Sequence, residues 1–193
     1  QRYTPRSLLL AGFSLGGNFA LRVALRAPAA GIDLAYAFAV CPPLDPAASL
    51  GQIEIAPWMY ERYFISKWIE SLKRKQVLFP HLYDFSTWLR KPTLRDLTAR
   101  MVEHYTDYGQ LDAYFKGYSI AGDRLAALSI PATIVTAHDD PVIPIGDYHG
   151  LGVPAHTEMI LTEHGGHCGF IEDWRLKSWI EDLLVERLSR AAG

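Results

Sequence analysis

Ser14 stands between two glycines in Gly12-Phe13-Ser14-Leu15-Gly16, a Gly-x-Ser-x-Gly spacing that could offer a serine hydroxyl as a nucleophile. A hydroxyl attacks poorly at neutral pH unless a base takes its proton, so this chemistry needs a histidine and a group to orient it. Two later segments supply both. His138-Asp139-Asp140-Pro141 carries carboxylates, and Glu163-His164-Gly165-Gly166-His167-Cys168 carries imidazoles. Asp140, at the turn just before Pro141, is the candidate acid, with Asp139 the alternative. His167 is the candidate base, because Gly165 and Gly166 let the backbone bring its ring back over the serine. His164 lies nearer the preceding strand and reads as a supporting or surface group.

Such groups react only if the fold delivers them to one place. Four short apolar runs, Ser7–Gly12, Leu34–Val40, Ala132–Ala137 and His156–Leu161, read as strands. The first three are nearly continuous in apolar character, which favours parallel strands covered on both faces. Helical patterns fall between and after them. Leu15–Arg26 sets Leu15, Phe19, Ala20 and Val23 on one side and stops at Pro28, while Trp174–Leu188 gathers Leu176, Trp179, Ile180, Leu183, Leu184 and Leu188. Alternating strands and helices predict an α/β fold with a parallel sheet. Parallel strands all point one way, so the turns holding Ser14, Asp140 and His167 belong at one sheet edge. A serine on a sharp strand-to-helix turn is a nucleophile elbow, and glycine at positions 12 and 16 is expected to keep side chains from colliding with the backbone there.

From about 42 to 122 no strand is evident, and helical stretches such as Trp58–Lys73 and Leu94–Tyr105 take over. Fourteen of the 23 aromatic residues fall between Trp58 and Tyr118, so this helical cap insertion in a single 193-residue domain has enough apolar bulk for its own core. Some of those rings could also wall an apolar pocket over the site.

Other chemistries fit less well. No Lys-Ser/Thr follows the glycines and Gly-x-Gly-x-x-Gly is missing, which argues against phosphate binding. A metal set of His138, Asp139, His164, His167 and Cys168 matches no common zinc spacing and leaves Ser14 unexplained, so no metal or cofactor is expected. Cys168 is not favoured as a nucleophile, although its neighbour His167 could lower its pKa. A net charge of −2 and the short run Lys73-Arg74-Lys75, answered by Glu61 and Glu70, give no nucleic-acid surface. Every apolar run is too short to span a membrane, and two cysteines, Cys41 and Cys168, fit a reducing, cytoplasmic setting.

Taken together, "GFSLGGN", "HDDPVIP" and "TEHGGHCGF", with "CPPLDPAASL" and "YERYF" between them, resemble the YheT-type α/β-hydrolases, a group that includes eukaryotic abhydrolase-domain esterases and yeast acyltransferases. The resemblance implies a partial α/β-hydrolase fold with the family's nucleophile at Ser14, acid at Asp140 and base at His167. It implies action on a small ester or lipid-like substrate, without a cofactor. Members carry a long segment ahead of the serine that forms the first half of the sheet and a loop donating to the oxyanion, whereas thirteen residues precede Ser14 here. One oxyanion donor is then the backbone N–H of Leu15, and lacking the second typically costs about 10²–10³ in turnover. The chain is thus expected to be the C-terminal part of a longer protein, or one completed through its first strand by self-association or a second chain. Three functions follow as expectations: a serine ester hydrolase, an acyltransferase using the same triad, and an inactive or binding fragment.

Overall fold

Residues 7–90 and 92–193 are described by a computed structural model. Four parallel strands, β1 (Leu8–Phe13), β2 (Leu34–Val40), β3 (Ala132–Ala137) and β4 (Thr157–Thr162), form a sheet in the order β1-β2-β3-β4. The fold is the expected α/β architecture, with β1 and β4 each lying one residue later than the apolar runs suggest. Every residue of β3 and the last four of β2 are buried, as suits central strands covered on both faces. Among the described residues β1 pairs with β2 alone, and it departs from the expected coverage in that Leu8 and Phe13 are partly exposed.

Helix α1 (Leu15–Arg26) follows β1 with only Ser14 between them. It seats Gly17, Ala20, Leu21 and Ala24 on the sheet, not the stripe of larger residues that its spacing suggests. Phe19 is 50% exposed, and Leu15 and Val23 lie on the same open side. The approach is tightest at Gly17, where a Cβ would lie 3.1 Å from the Gly12 oxygen and 3.3 Å from the Val40 oxygen. Burying Leu21 alone contributes about 1.5–3 kcal/mol.

Between β2 and β3 run α2 (Pro46–Ile55), α3 (Trp58–Leu78), α4 (Leu94–Tyr105) and α5 (Leu111–Tyr118). α3 continues beyond the Lys73 limit read from its pattern. Asp45 caps α2 by accepting from the Ala47 N–H, and Thr93 with Asp96 forms a capping box at α4. Leu72 of α3, Leu97 of α4 and, from the segment joining them, Phe85 and Trp88 make a separate small core, so part of the aromatic enrichment serves packing. They are fastened to the sheet layer by buried Asn18, whose Nδ2 donates to the Pro43 and Tyr118 carbonyls at 2.8 and 3.1 Å, and by the Tyr148 hydroxyl, which donates to the Pro42 carbonyl at 2.7 Å.

The last helix, α6, spans Trp179–Ala192 rather than Trp174–Leu188. The Asp173 carboxylate accepts the Arg175 and Lys177 amides, and the Glu172 N–H donates to the Lys177 carbonyl, which folds 171–178 into a tight loop instead of a first helical turn. Trp174 and Leu176 are consequently 84% and 73% exposed. Among the described residues no helix is long and apolar enough to cross a membrane.

Candidate active site

Backbone pairing continues past the strand ends and aligns three turns on one sheet edge. The Ser14 N–H donates to the Val40 carbonyl, the Cys41 N–H to Val135 and the His138 N–H to Thr162, at 2.8, 2.7 and 2.8 Å. Ser14 itself has φ 51° and ψ −124°, a conformation costing about 1–3 kcal/mol that the flanking strand and helix impose. At Gly12 a Cβ would overlap the Gly16 carbonyl, and at Gly17 it would lie 3.1 Å from the Gly12 oxygen and 3.2 Å from the Pro42 Cβ. Gly16 is different: a Cβ there meets nothing within 4 Å, so the crowding expected at positions 12 and 16 falls on 12 and 17.

Asp140 sits just past the end of β3 with its side chain fully enclosed. Its Oδ1 accepts the Val142 and Ile143 N–H groups at 2.8 and 3.0 Å, which leaves Oδ2 to meet His167 Nδ1 at 2.9 Å. The other ring nitrogen, Nε2, lies 2.9 Å from Ser14 Oγ. Three groups read from separate stretches therefore form one hydrogen-bonded series, Ser14 to His167 to Asp140. The Leu15 N–H heads α1 beside them, among the amides that a helix start leaves without an intrahelical acceptor.

The histidine loop is held by the neighbouring carboxylate. Asp139 Oδ1 accepts the Gly165 and Gly166 N–H groups at 2.9 and 2.8 Å, and these bonds, the Gly166 one foremost, keep its pKa below the ordinary value. Gly166 adopts φ 56°, and a Cβ on Gly165 would press into the Phe170 ring. Nothing in the local sequence announces this task for Asp139. His164 is a surface group, its side chain 90% exposed and 3.5 Å from Asp139.

Burial disfavours the charged form of His167, but the Asp140 carboxylate and the Cys168 thiol outweigh it and raise the imidazole to about 9. Cys168 is drawn down, chiefly by a hydrogen bond from Cys41 and further by His167, against the effect of burial. Cys41 is pushed up by the same contact and by burial. The ligand set of His138, Asp139, His164, His167 and Cys168 does not converge. Among the described residues, the donors that do meet are Cys41, His167 and Cys168.

A cavity of about 320 Å³ opens beside Ser14. Pro43, Val142 and Ile143 line it from the loops after β2 and β3, Leu50 and Ile53 from α2, and Phe64, Trp68, Met101, Tyr105, Phe115 and Tyr118 from α3, α4 and α5. Several insertion aromatics thus face this space while others build the small core. A hydroxyl held against an imidazole, next to free helix-start amides and an apolar chamber, can pass a proton and lodge a hydrocarbon group.

Residues 2–176 match the model of the alpha/beta hydrolase family. The chain belongs to the alpha/beta hydrolase family. It is 30% identical over 193 aligned residues to the putative esterase YheT of Escherichia coli K12, covering 92% of this chain and 54% of that protein. It is 27% identical to human protein ABHD15 over 67% of this chain and 29% of that protein, and 22% identical to human phospholipase ABHD3 over 98% and 47%. The chain thus spans about half, or less, of the length of these curated relatives. An esterase of Pyrococcus furiosus shares the fold at a TM-score of 0.54 and 12% identity, over 97% of this chain and 55% of that one.

Proposed function

We propose that this alpha/beta hydrolase is a serine carboxylesterase, with Ser14 as nucleophile on a nucleophile elbow, His167 as general base and Asp140 as the group that orients the imidazole. The observation that carries the reading is the unbroken series of two 2.9 Å contacts from Ser14 Oγ through His167 to Asp140. Ser14 Oγ attacks the ester carbonyl carbon as its proton passes to His167 Nε2, and the oxyanion draws on the Leu15 N–H. Collapse breaks the bond to the alkoxy oxygen, which takes the proton from His167 and leaves as the alcohol. Water then gives a proton to the same nitrogen as it attacks the acyl carbon; the bond to Ser14 Oγ breaks, Ser14 Oγ takes that proton back from His167, and the acid leaves. The apolar chamber beneath α2–α5, acting as a cap, receives the acyl chain of a small ester or lipid-like substrate.

Hydrolysis of p-nitrophenyl esters, followed from the first turnover, tests this. A burst of one p-nitrophenolate per chain is expected, and Ser14→Ala should lower turnover by ~10⁶-fold, the scale seen when a triad serine is removed. Hydrolysis that survives in Ser14→Ala overturns the assignment. An unreactive wild-type chain would instead point to the inactive-fragment alternative.

A further inference from the structure

Cys41 and Cys168 are far apart in the chain and neither exchanges a proton with substrate in the proposed hydrolysis, yet they face each other beside its base. Cys41 ends β2 in a left-handed conformation, φ 44°, and Cys168 follows His167 in another, φ 68°. Both thiols are free, and besides their contact with each other each has only a distant carbonyl: Cys41 Sγ is 3.9 Å from the Gly166 oxygen, and Cys168 Sγ is 3.9 Å from the Val40 oxygen. The two sulfurs and one His167 ring nitrogen all lie within 4.8 Å of one another.

We propose that Cys41, Cys168 and His167 form a binding site for a thiophilic divalent cation, with Zn²⁺ the natural test ion, and that its occupancy excludes catalysis. The claim of exclusion rests on the function proposed above; the claim of a site does not. Zinc takes thiolate sulfur at about 2.3 Å and imidazole nitrogen at about 2.0–2.1 Å, so a tetrahedral ion wants its donors roughly 3.5–3.8 Å apart. Donors already within 4.8 Å need close by only about 1 Å, a side-chain adjustment. Two thiols lose their protons as two sulfur–metal bonds form, which leaves a neutral dithiolate–metal unit suited to an enclosed place, with the fourth position free for water or the Ser14 hydroxyl. The ion can enter past His167, whose side chain keeps some exposure, although Cys41 is buried. Exclusion follows from hydrogen-bond accounting. Nδ1 of His167 is committed to Asp140 and Nε2 to Ser14, so an ion on either nitrogen removes one link of the relay.

The test uses the full chain, freed of metal, with Zn²⁺, Co²⁺ and Mg²⁺ as probes. Equilibrium dialysis should find one Zn²⁺ bound per chain and no Mg²⁺, which prefers oxygen ligands. Co²⁺ at the site should show thiolate-to-metal charge-transfer absorption, lost in Cys41→Ser and in Cys168→Ser. One equivalent of Zn²⁺ should abolish fluorophosphonate labelling, and a chelator should restore it. Absence of bound Zn²⁺, or a Co²⁺ complex without that absorption, overturns the site in the wild-type chain without recourse to any variant. A bound ion that leaves labelling intact overturns the exclusion. Failure of the metal-free chain to take the label tells instead against the esterase reading, while dialysis and absorption still decide the site.

Discussion

Asp139 and Asp140 are consecutive residues that grip the same loop at different points. Asp140 Oδ2 meets the His167 ring at 2.9 Å, while Asp139 Oδ1 accepts the backbone amides of Gly165 and Gly166 just ahead of it. One carboxylate orients the imidazole, and the other shapes the backbone that carries it. Asp140→Asn should therefore lower kcat by about 10⁴-fold, as for a triad carboxylate turned to amide. Asp139→Asn should cost far less turnover and lower the melting temperature. Steady-state kinetics with thermal melts on both variants check this, and the reverse ranking would contradict the assignment.

The turn at Ser14 predicts unequal glycines. Gly12→Ala drives a methyl group into the Gly16 carbonyl, a backbone atom that cannot swing aside, so a loss of at least ~3 kcal/mol is expected, at the upper end of overpacking costs. Gly16→Ala enters open space inside a helix and should stay within about 1 kcal/mol of the parent. Urea denaturation of the two variants measures the contrast; equal losses would contradict the crowding.

The chamber predicts a chain-length effect. Met101 on α4 lines the same cavity as Ser14, and Met101→Trp fills part of it. Turnover of p-nitrophenyl octanoate should fall by ~10–100-fold relative to acetate, since each methylene in an apolar pocket is worth about 1–3 kcal/mol. Parallel loss on both esters would place the acyl chain elsewhere.

The pH profile has a definite sign. The groups around the His167 ring are the Asp140 carboxylate, the Cys168 and Cys41 thiols and the Ser14 hydroxyl; burial lowers its pKa, yet Asp140 and Cys168 together raise it. Only the neutral ring accepts a proton, so kcat/KM should rise with pH through a midpoint above the ordinary histidine value of about 6.5. Cys168→Ala removes one raising partner and should move the midpoint down. A wild-type midpoint at or below the ordinary value contradicts this electrostatic account.

The parts legible in the sequence are those with local signals. Strands β2 and β3 are apolar runs bounded by turns, and Ser14, Asp140 and His167 each follow a strand at a turn marked by glycine or proline. Hidden from the sequence are consequences of distance in space. Periodicity alone allows either face of α1 to dock, and it does not register the close approach at Gly17 that accompanies burial of Ala20, Leu21 and Ala24 while Phe19 and Val23 stay exposed. The start of α6 shifts because Asp173 binds amides two and four residues on, a local competition that an apolar pattern does not register. The meeting of Cys41 with Cys168 comes from the loops after β2 and β4 converging above β3, which no short motif encodes.

The proposed chemistry requires that His167 activate the Ser14 hydroxyl within this chain. Treatment with a fluorophosphonate followed by peptide mass mapping reads that activation at the residue itself. A single adduct on Ser14 is expected, lost in Ser14→Ala and strongly slowed in His167→Ala. An unmodified chain, or an adduct carried by any other residue, would contradict it.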